Sequence, residues 1–505
     1  MKVKKTTVEL NAVERRSFLG WVAGAAAINL LPLEFKLASY NLLGSEAFGS
    51  QACGGDKYFI EINLRDQWDF GQVFVAPGLA TNAGMPRGNS GTQAALYYSA
   101  DQLINAQNNI YLTPLSAELQ PHLNDIAMME LCTIPIGSIH GHEALNGFRS
   151  PGRSYQQGAG KMPTWLKDPR TKQGGNENLY SSSPTPTALH NHVQRKNHSF
   201  LQNGLSFKGV GRSIHTVYHF EAGLSGGEIN RISSFDQMRK VYQSEEVARN
   251  PILPTKKQQE LFSEIVNRFD RQFLKAWLYN NNAAEKQSAD WNSMPAALSP
   301  RPLNLNLSAQ DVAYWSQGVP EQQSSHKKMP IWEQAAYTYE FIRSDTARTI
   351  SMEFDYMDIH GQRSEQAMAV MTKQTVLPLV RLIEKLKSDG LWHRTVIQIN
   401  TLDGSRPPNA DSYGNSGRNG FMLAGGAIQG GYYGDVRYQK DGGYSYHMPD
   451  LKSGLAIPNG SRNNEKRVPD AAVYKTTLKA LGLCAQANDI ADTNGVSPLD
   501  FMLKG

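Results

Sequence analysis

Cysteine is scarce in this 505-residue chain, which has only Cys53, Cys132 and Cys484. Three thiols permit one disulfide at most, and their spacing does not suggest a zinc-thiolate site. Cys132 sits in the apolar run Met128–Ile134 and is expected to be a buried core thiol. Charge is also sparse: Asp, Glu, Lys and Arg make up 19% of the chain and the formal net charge is +5. No long basic run is present, which argues against nucleic acid as a partner. No stretch reaches eighteen uninterrupted apolar residues, so no membrane span is expected. What remains is enough chain for one large α/β domain or two ordinary ones.

The first segment is the most informative. Glu14-Arg15-Arg16-Ser17-Phe18-Leu19 precedes an apolar run from Trp21 to Leu33. Paired arginines, a short apolar stretch and small residues beyond form the pattern of a twin-arginine export signal, which carries proteins already folded. Residues 1–52 are read as this signal and leader, and 53–505 as the exported domain. Cleavage fits either Ser45-Glu46-Ala47 or Ser50-Gln51-Ala52. The expected partner during export is the twin-arginine translocase, and the expected location is periplasmic or secreted. Residues 1–52 hold six of the basic and four of the acidic residues, which leaves the remainder at +3. That balance suits an anionic small molecule or glycan without requiring one.

Beyond the leader, Lys57–Leu64 and Ala127–Ile136 read as strands. Residues 145–255 are polar and rich in Gly, Ser, Asn and Pro, and are expected to be an insertion or cap, with Ser213–Phe220 as an optional strand. Helical spacing marks 255–279 and 330–344. The last third alternates clearly. Thr349–Tyr356 reads as a strand, 364–387 as a long helix closed by Gly390, and Val396–Asn400 and Phe421–Ala424 as strands. A final helix opens after Pro469. Strand–helix alternation predicts a mostly parallel sheet covered on both faces.

In open α/β sheets ligands bind beyond the carboxyl ends of the strands. Those ends offer Asp66 and Asp69, then Ser138, His140, His142 and Glu143, then Asp355, Asp358 and His360, then Asp403 and Arg406. Arg418, Asn419 and His447 follow. Carboxylates and imidazoles gathered at one edge hold zinc, manganese, magnesium or calcium, and two such ions can clamp a phosphoryl or sulfuryl group. Arg406 and Arg418 are candidates for binding an oxyanion. Each residue also has a bland reading as a turn acid, a structural ion pair or a hydrogen-bonded histidine. His190, His192 and His198 form a further cluster, read as metal-binding or simply polar.

Asp358-Ile359-His360-Gly361, Gly390-Leu391-Trp392-His393-Arg394-Thr395, Asp403-Gly404-Ser405-Arg406-Pro407-Pro408, Gly417-Arg418-Asn419-Gly420, Leu423-Ala424-Gly425-Gly426 and Val468-Pro469-Asp470 occur in that order. Together with Leu64-Arg65-Asp66-Gln67-Trp68-Asp69 and the leader, they resemble the exported bacterial family termed domain of unknown function 1501. That family is related to alkaline phosphatases and sulfatases. The resemblance covers 57–142 and 345–484. It implies an alkaline-phosphatase-like α/β/α sandwich with metals at the strand ends, Asp69, Asp358, His360 and Asp403 being ligands; His447, outside the matching motifs, is a separate candidate to replace a lost ligand. The chain departs from the family at two places. Asn419-Gly420 stands where the family has Asp-His, and Gly141-His142 stands where a hydroxyl nucleophile precedes His. The resemblance therefore implies a degenerate metal site with weak or no ester hydrolysis. The competing expectation is an active metal-dependent phosphate- or sulfate-ester hydrolase with a reorganised site.

The leader makes a prediction independent of catalysis. Arg15→Lys with Arg16→Lys keeps the charge and should leave the protein unprocessed in the cytoplasm on cell fractionation. Undiminished export of the double variant rules the twin-arginine route out.

Overall fold

The computed structural model describes residues 57–64, 71, 73–82, 98–132, 186–197, 201, 203–207, 229–242, 303–321, 329–354, 365–401, 419–439, 444–460, 468–483 and 496–504. In chain order the strands are β1 (Tyr58–Leu64), β2 (Phe74–Val75), β3 (Ile104–Asn105), β4 (Tyr111–Leu112), β5 (Ile126–Cys132), β6 (Gly204–Phe207), β7 (Ile229–Ile232), β8 (Thr349–Phe354), β9 (Thr395–Thr401), β10 (Asn419–Gly425), β11 (Gly431–Tyr433), β12 (Asp435–Tyr438) and β13 (Tyr444–His447). Among the described residues the α-helices of eight residues or more are α1 (Pro186–Asn197), α2 (Phe235–Tyr242), α3 (Ala309–Ser316), α4 (Ile331–Arg343), α5 (Glu365–Ser388) and α6 (Asp470–Ala480).

Eight strands form one sheet in the order β11-β5-β10-β9-β1-β8-β6-β7. Every pairing is parallel except those of β10, which runs antiparallel to both β5 and β9. The expected mostly parallel α/β sheet is what the chain forms. Strand β1 shows why: Tyr58, Phe59, Ile60, Ile62 and Leu64 are all buried, the near-continuous apolar run of a strand covered on both faces.

The two faces differ. On one, Ile60, Ile62, Ile350, Met352, Ile397, Ile399 and Met422 pack against α2, α3, α4 and α5 in a single large apolar core. Helix α5 ends where expected, with Gly390 at φ 69° and the amide of Leu391 bonded to the Leu386 carbonyl at 2.8 Å, a Schellman closure. Pro330 and Pro469 cap α4 and α6, whose fixed backbone suits a helix start. On the other face, Phe59, Val396, Phe421 and Leu423 meet Val473, Tyr474 and Leu478 of α6.

That second face is polar beneath α1. Thr187 Oγ1 donates to Glu61 Oε2 at 2.6 Å, and His190 Nδ1 lies 2.7 Å from Thr349 Oγ1. The Gly204 amide donates to Asn191 Oδ1 at 2.8 Å, and Arg348 donates to Gln194 Oε1 at 3.1 Å. Part of the span 145–255, expected to be an insertion, therefore belongs to the sheet. Strand β6 pairs with β8, β7 pairs with β6, and α1 packs on β8 and β1 and reaches β6 through the Asn191–Gly204 bond. The optional strand 213–220 and the helix 255–279 lie outside the described residues, as do Cys53, Cys484 and the leader. Cys132 ends β5.

Below the sheet, Asp125 gathers the chain. It accepts from Lys387 at 2.8 Å, Lys504 at 2.6 Å and Trp392 Nε1 at 2.9 Å. Burial alone would raise this carboxyl's pKa, but those hydrogen bonds outweigh it and hold the group below its ordinary range. The last described residues are tied in with it, since the Lys504 amide also bonds to the Ala427 carbonyl at 2.9 Å.

His190 makes the fold acid-sensitive. Full burial first, then the Arg348 charge, push its pKa from 6.5 down to about 3, opposed in part by the Lys57 backbone. Between those values the unfolded chain binds a proton that the folded chain refuses. Stability from this residue is therefore complete above pH 6.5 and falls with pH by about 1.4 kcal/mol per unit. Denaturant titrations across that window should show a steeper loss for wild type than for His190→Gln. Equal slopes would mean the ring is solvated.

Candidate active-site edge of the sheet

Strand polarity decides which residues share an edge. The carboxyl ends of β1, β5, β8, β9 and β11 lie together because these strands run the same way. Strand β10 is reversed, so its first residue, Asn419, stands opposite Cys132 at the end of β5, and Phe421 stands opposite Asn400 near the end of β9. Strands β6 and β7, parallel to β8, exit here too, so this edge carries the exits of seven strands and the entrance of the eighth, β10.

The sequence candidates map onto this edge through the chain. Asp66 and Asp69 follow β1; Ser138, His140, His142 and Glu143 follow β5. Asp355, Asp358 and His360 follow β8, Asp403 and Arg406 follow β9, and Arg418 immediately precedes β10. These residues themselves lie outside the described residues, and so does His198. Among the described residues, no group of three or more His, Cys, Asp or Glu side chains could hold a metal ion. An apolar void of about 10 Å³ under the sheet, bounded by Val73, Phe74, Leu119, Val376, Leu379 and Met422, is too small for a substrate.

Three candidate histidines are described. His190 is buried against Thr349, as above, and His192 is half-buried two positions along α1, where it cannot share His190's side of the helix. His447 ends β13 in the hairpin that follows β11. It is buried, with Nδ1 2.8 Å from the Ile457 carbonyl oxygen and Nε2 2.9 Å from Ser445 Oγ. Both ring nitrogens are thus engaged, and coordination through Nε2 requires exchange of the Ser445 contact.

No helix among the described residues is long and apolar enough to cross a membrane. No protein-family model and no curated protein matches the chain. Solved structures do. The PsFucS1 sulfatase from Pseudoalteromonas sp. is 11% identical, with a TM-score of 0.36 over 93% of this chain and 75% of that one. A protein in the alkaline phosphatase superfamily from Vibrio parahaemolyticus is 9% identical, with a TM-score of 0.30 over 86% and 88%. The lipoteichoic acid synthase LtaP from Listeria monocytogenes is 10% identical, with a TM-score of 0.29 over 90% and 95%.

One residue at this edge escaped the sequence reading. Asp435, the first residue of β12, is buried and accepts from the amides of Gly78 at 2.7 Å and Val436 at 2.9 Å, with Arg437 Nε at 2.9 Å. No local motif marks it, since Gly78 is 357 positions away. It fastens the hairpin holding His447 to the segment that follows β1. Gly78 has no room for a side chain: a Cβ would stand 2.7 Å from Arg437 Cγ and 2.9 Å from Asp435 Oδ1. Asp435→Ala leaves buried amides unpaired and should cost about 2–3 kcal/mol in chemical denaturation. Gly78→Ala should destabilise the same unit. Neutral effects in both would mean the hairpin is not held there.

Proposed function

We propose that this protein is an exported relative of the alkaline phosphatases and sulfatases whose metal site at the strand ends is degenerate, with weak or no ester hydrolysis. The observation that supports this reading most is the single edge to which β1, β5, β8, β9 and reversed β10 bring their ends. Neighbouring strands are about 4.8 Å apart, so the five ends span about 19 Å. A chain reaches at most about 3.5 Å per residue. Asp403 follows Thr401 by two positions, Asp358 follows Phe354 by four and Arg418 adjoins Asn419, so the chain is long enough to bring all three to a common centre.

Asp69, Asp358, His360 and Asp403 form an oxygen-rich donor set suited to magnesium, calcium, manganese or zinc. His447 would join by exchanging its Ser445 contact. A divalent ion bound there would polarise an ester oxygen, while Arg406 and Arg418 would orient an anionic small molecule or glycan by paired hydrogen bonds. With Asn419-Gly420 in place of a carboxylate and an imidazole, the donors suffice for one ion rather than two. With Gly141 before His142, the hydroxyl that would attack is missing.

The second reading, an active hydrolase with a reorganised site, draws on the retained acids and His360. One experiment separates the two. The mature protein is folded in the cytoplasm, its bound metal is counted by mass spectrometry, and aryl phosphates and sulfates are assayed across divalent ions. The proposal expects at most one ion per chain, lost in Asp358→Ala with His360→Ala, and turnover at background. Turnover at least a hundredfold above background and abolished by the same pair establishes the active reading. Turnover that survives the pair places the site elsewhere.

A further inference from the structure

Five Asn-Gly pairs occur in the chain, beginning at Asn146, Asn203, Asn419, Asn459 and Asn494. An asparagine before glycine is chemically labile. No side chain shields the glycine amide, and the backbone there turns freely enough for that nitrogen to reach the asparagine side-chain carbon. The local structure decides which pairs react. Asn203 is restrained: its Nδ2 donates to Asn230 Oδ1 at 3.3 Å, and the Gly204 amide donates to Asn191 Oδ1 at 2.8 Å. Asn459, by contrast, is exposed at a bend of the chain. In a turn such as Ile457-Pro458-Asn459-Gly460 the first carbonyl often accepts the fourth residue's amide. Here the Ile457 carbonyl accepts from His447 Nδ1 at 2.8 Å. The Gly460 amide has no hydrogen-bond partner among the described residues.

Gly460 also covers the Ser445–His447 pair. A Cβ on it would collide with Ser445 Oγ and stand 2.6 Å from His447 Nε2. In the neutral ring Nδ1 carries the proton, so Nε2 accepts from the Ser445 hydroxyl at 2.9 Å. We propose that Asn459 is a site of spontaneous deamidation, and that its conversion displaces Gly460 from His447. The Gly460 nitrogen bonds to Asn459 Cγ and the Cγ–Nδ2 bond breaks. Nδ2 leaves as ammonia, taking the Gly460 amide proton, and a cyclic imide remains. Water opens the imide at either carbonyl to give aspartate or isoaspartate, and nothing is oxidised or reduced. Both products add a negative charge, and isoaspartate lengthens the backbone by one carbon immediately before Gly460. A close-packed glycine with no room for a Cβ cannot hold its place through that insertion.

The mature wild-type protein, aged at neutral pH and physiological temperature, tests this directly. Peptide mapping by mass spectrometry follows each Asn-Gly pair, and an isoaspartyl-specific methyltransferase labels the isoaspartate. Asn459 is expected to convert at least tenfold faster than Asn203. Deuterium exchange at the His447 ring carbon between the two nitrogens, read on the same digests, should quicken at least threefold in the converted protein. Neither change is expected in Asn459→Gln, whose longer side chain does not favour the imide. Both should persist in Asp358→Ala with His360→Ala, because the chemistry needs no metal and stands apart from the proposed site. Conversion of Asn459 no faster than that of Asn203, or conversion that leaves the His447 exchange rate unchanged, overturns the proposal.

Discussion

Strand β10 opposes the direction of its neighbours, and the candidate edge depends on that reversal. Its ladders to β5 and β9 place Asn419 against Cys132 and Gly425 against Val396. The segment ending at Arg418 is therefore delivered where β5 and β9 depart. A parallel β10 would deliver it to the far edge. The exit from β10 is equally constrained. Gly425 sits at φ 153°, and a Cβ there would run into the Thr395 carbonyl oxygen. The Gly426 amide then bonds to the Trp392 carbonyl at 3.1 Å, which turns the chain so that β11 can return parallel to β5. The glycine-rich segment 425–431 is thus a turn built to fit against the residues that open β9 and β5.

The polar face adds specificity that the apolar face lacks. Hydrophobic packing of α4 and α5 tolerates small displacements, whereas α1 meets the sheet through directional bonds: Thr187 donates to Glu61, His190 pairs with Thr349, and Asn191 and Gln194 accept from Gly204 and Arg348. Those partners belong to or adjoin β1, β8 and β6. Sliding α1 by one turn would break all four bonds at once and leave buried polar groups unpaired, a larger penalty than their net gain when made. The arrangement fixes β6, and through it β7, against a core that would otherwise end at β8. The acid sensitivity of His190 is the cost of that precision.

The elements legible in the sequence are those whose apolar residues carry the signal alone. Strand β1 reads as a near-continuous apolar run, β8 and β9 as apolar, mostly β-branched positions alternating with polar ones, and α4, α5 and α6 have proline or glycine at their ends. Strands β6 and β7 were hidden because each has four residues and sits in a polar span. Ser206 faces the α1 side, so Gly204-Leu205-Ser206-Phe207 has little apolar contrast to offer. His190 reads as a ligand candidate only while Thr349, 159 positions away, is out of view. The strand-end rule supplied the candidate site because it needs only polarity and order. It missed Asp435, whose role depends on a contact between distant segments.

Charge is distributed along the sheet in a way that bears on the metal question. Strands β1, β8 and β9 are preceded by Lys57, Arg348 and Arg394 and followed by Asp69, Asp358 and Asp403. The cations cannot neutralise the acids, because a seven-residue strand such as β1 is about 20 Å long, well beyond the screening length of about 8 Å at physiological salt. On the proposed reading each edge must therefore balance its own charge. At the carboxyl edge the means are Arg406, Arg418 and a divalent ion. Replacing a carboxylate by Asn419 removes one negative charge from that balance and with it part of the need for a second ion. On that reading Asn419 lowers the repulsion at the edge as well as its capacity for metal, and a one-ion or arginine-balanced site is a self-consistent end state rather than a damaged two-ion site.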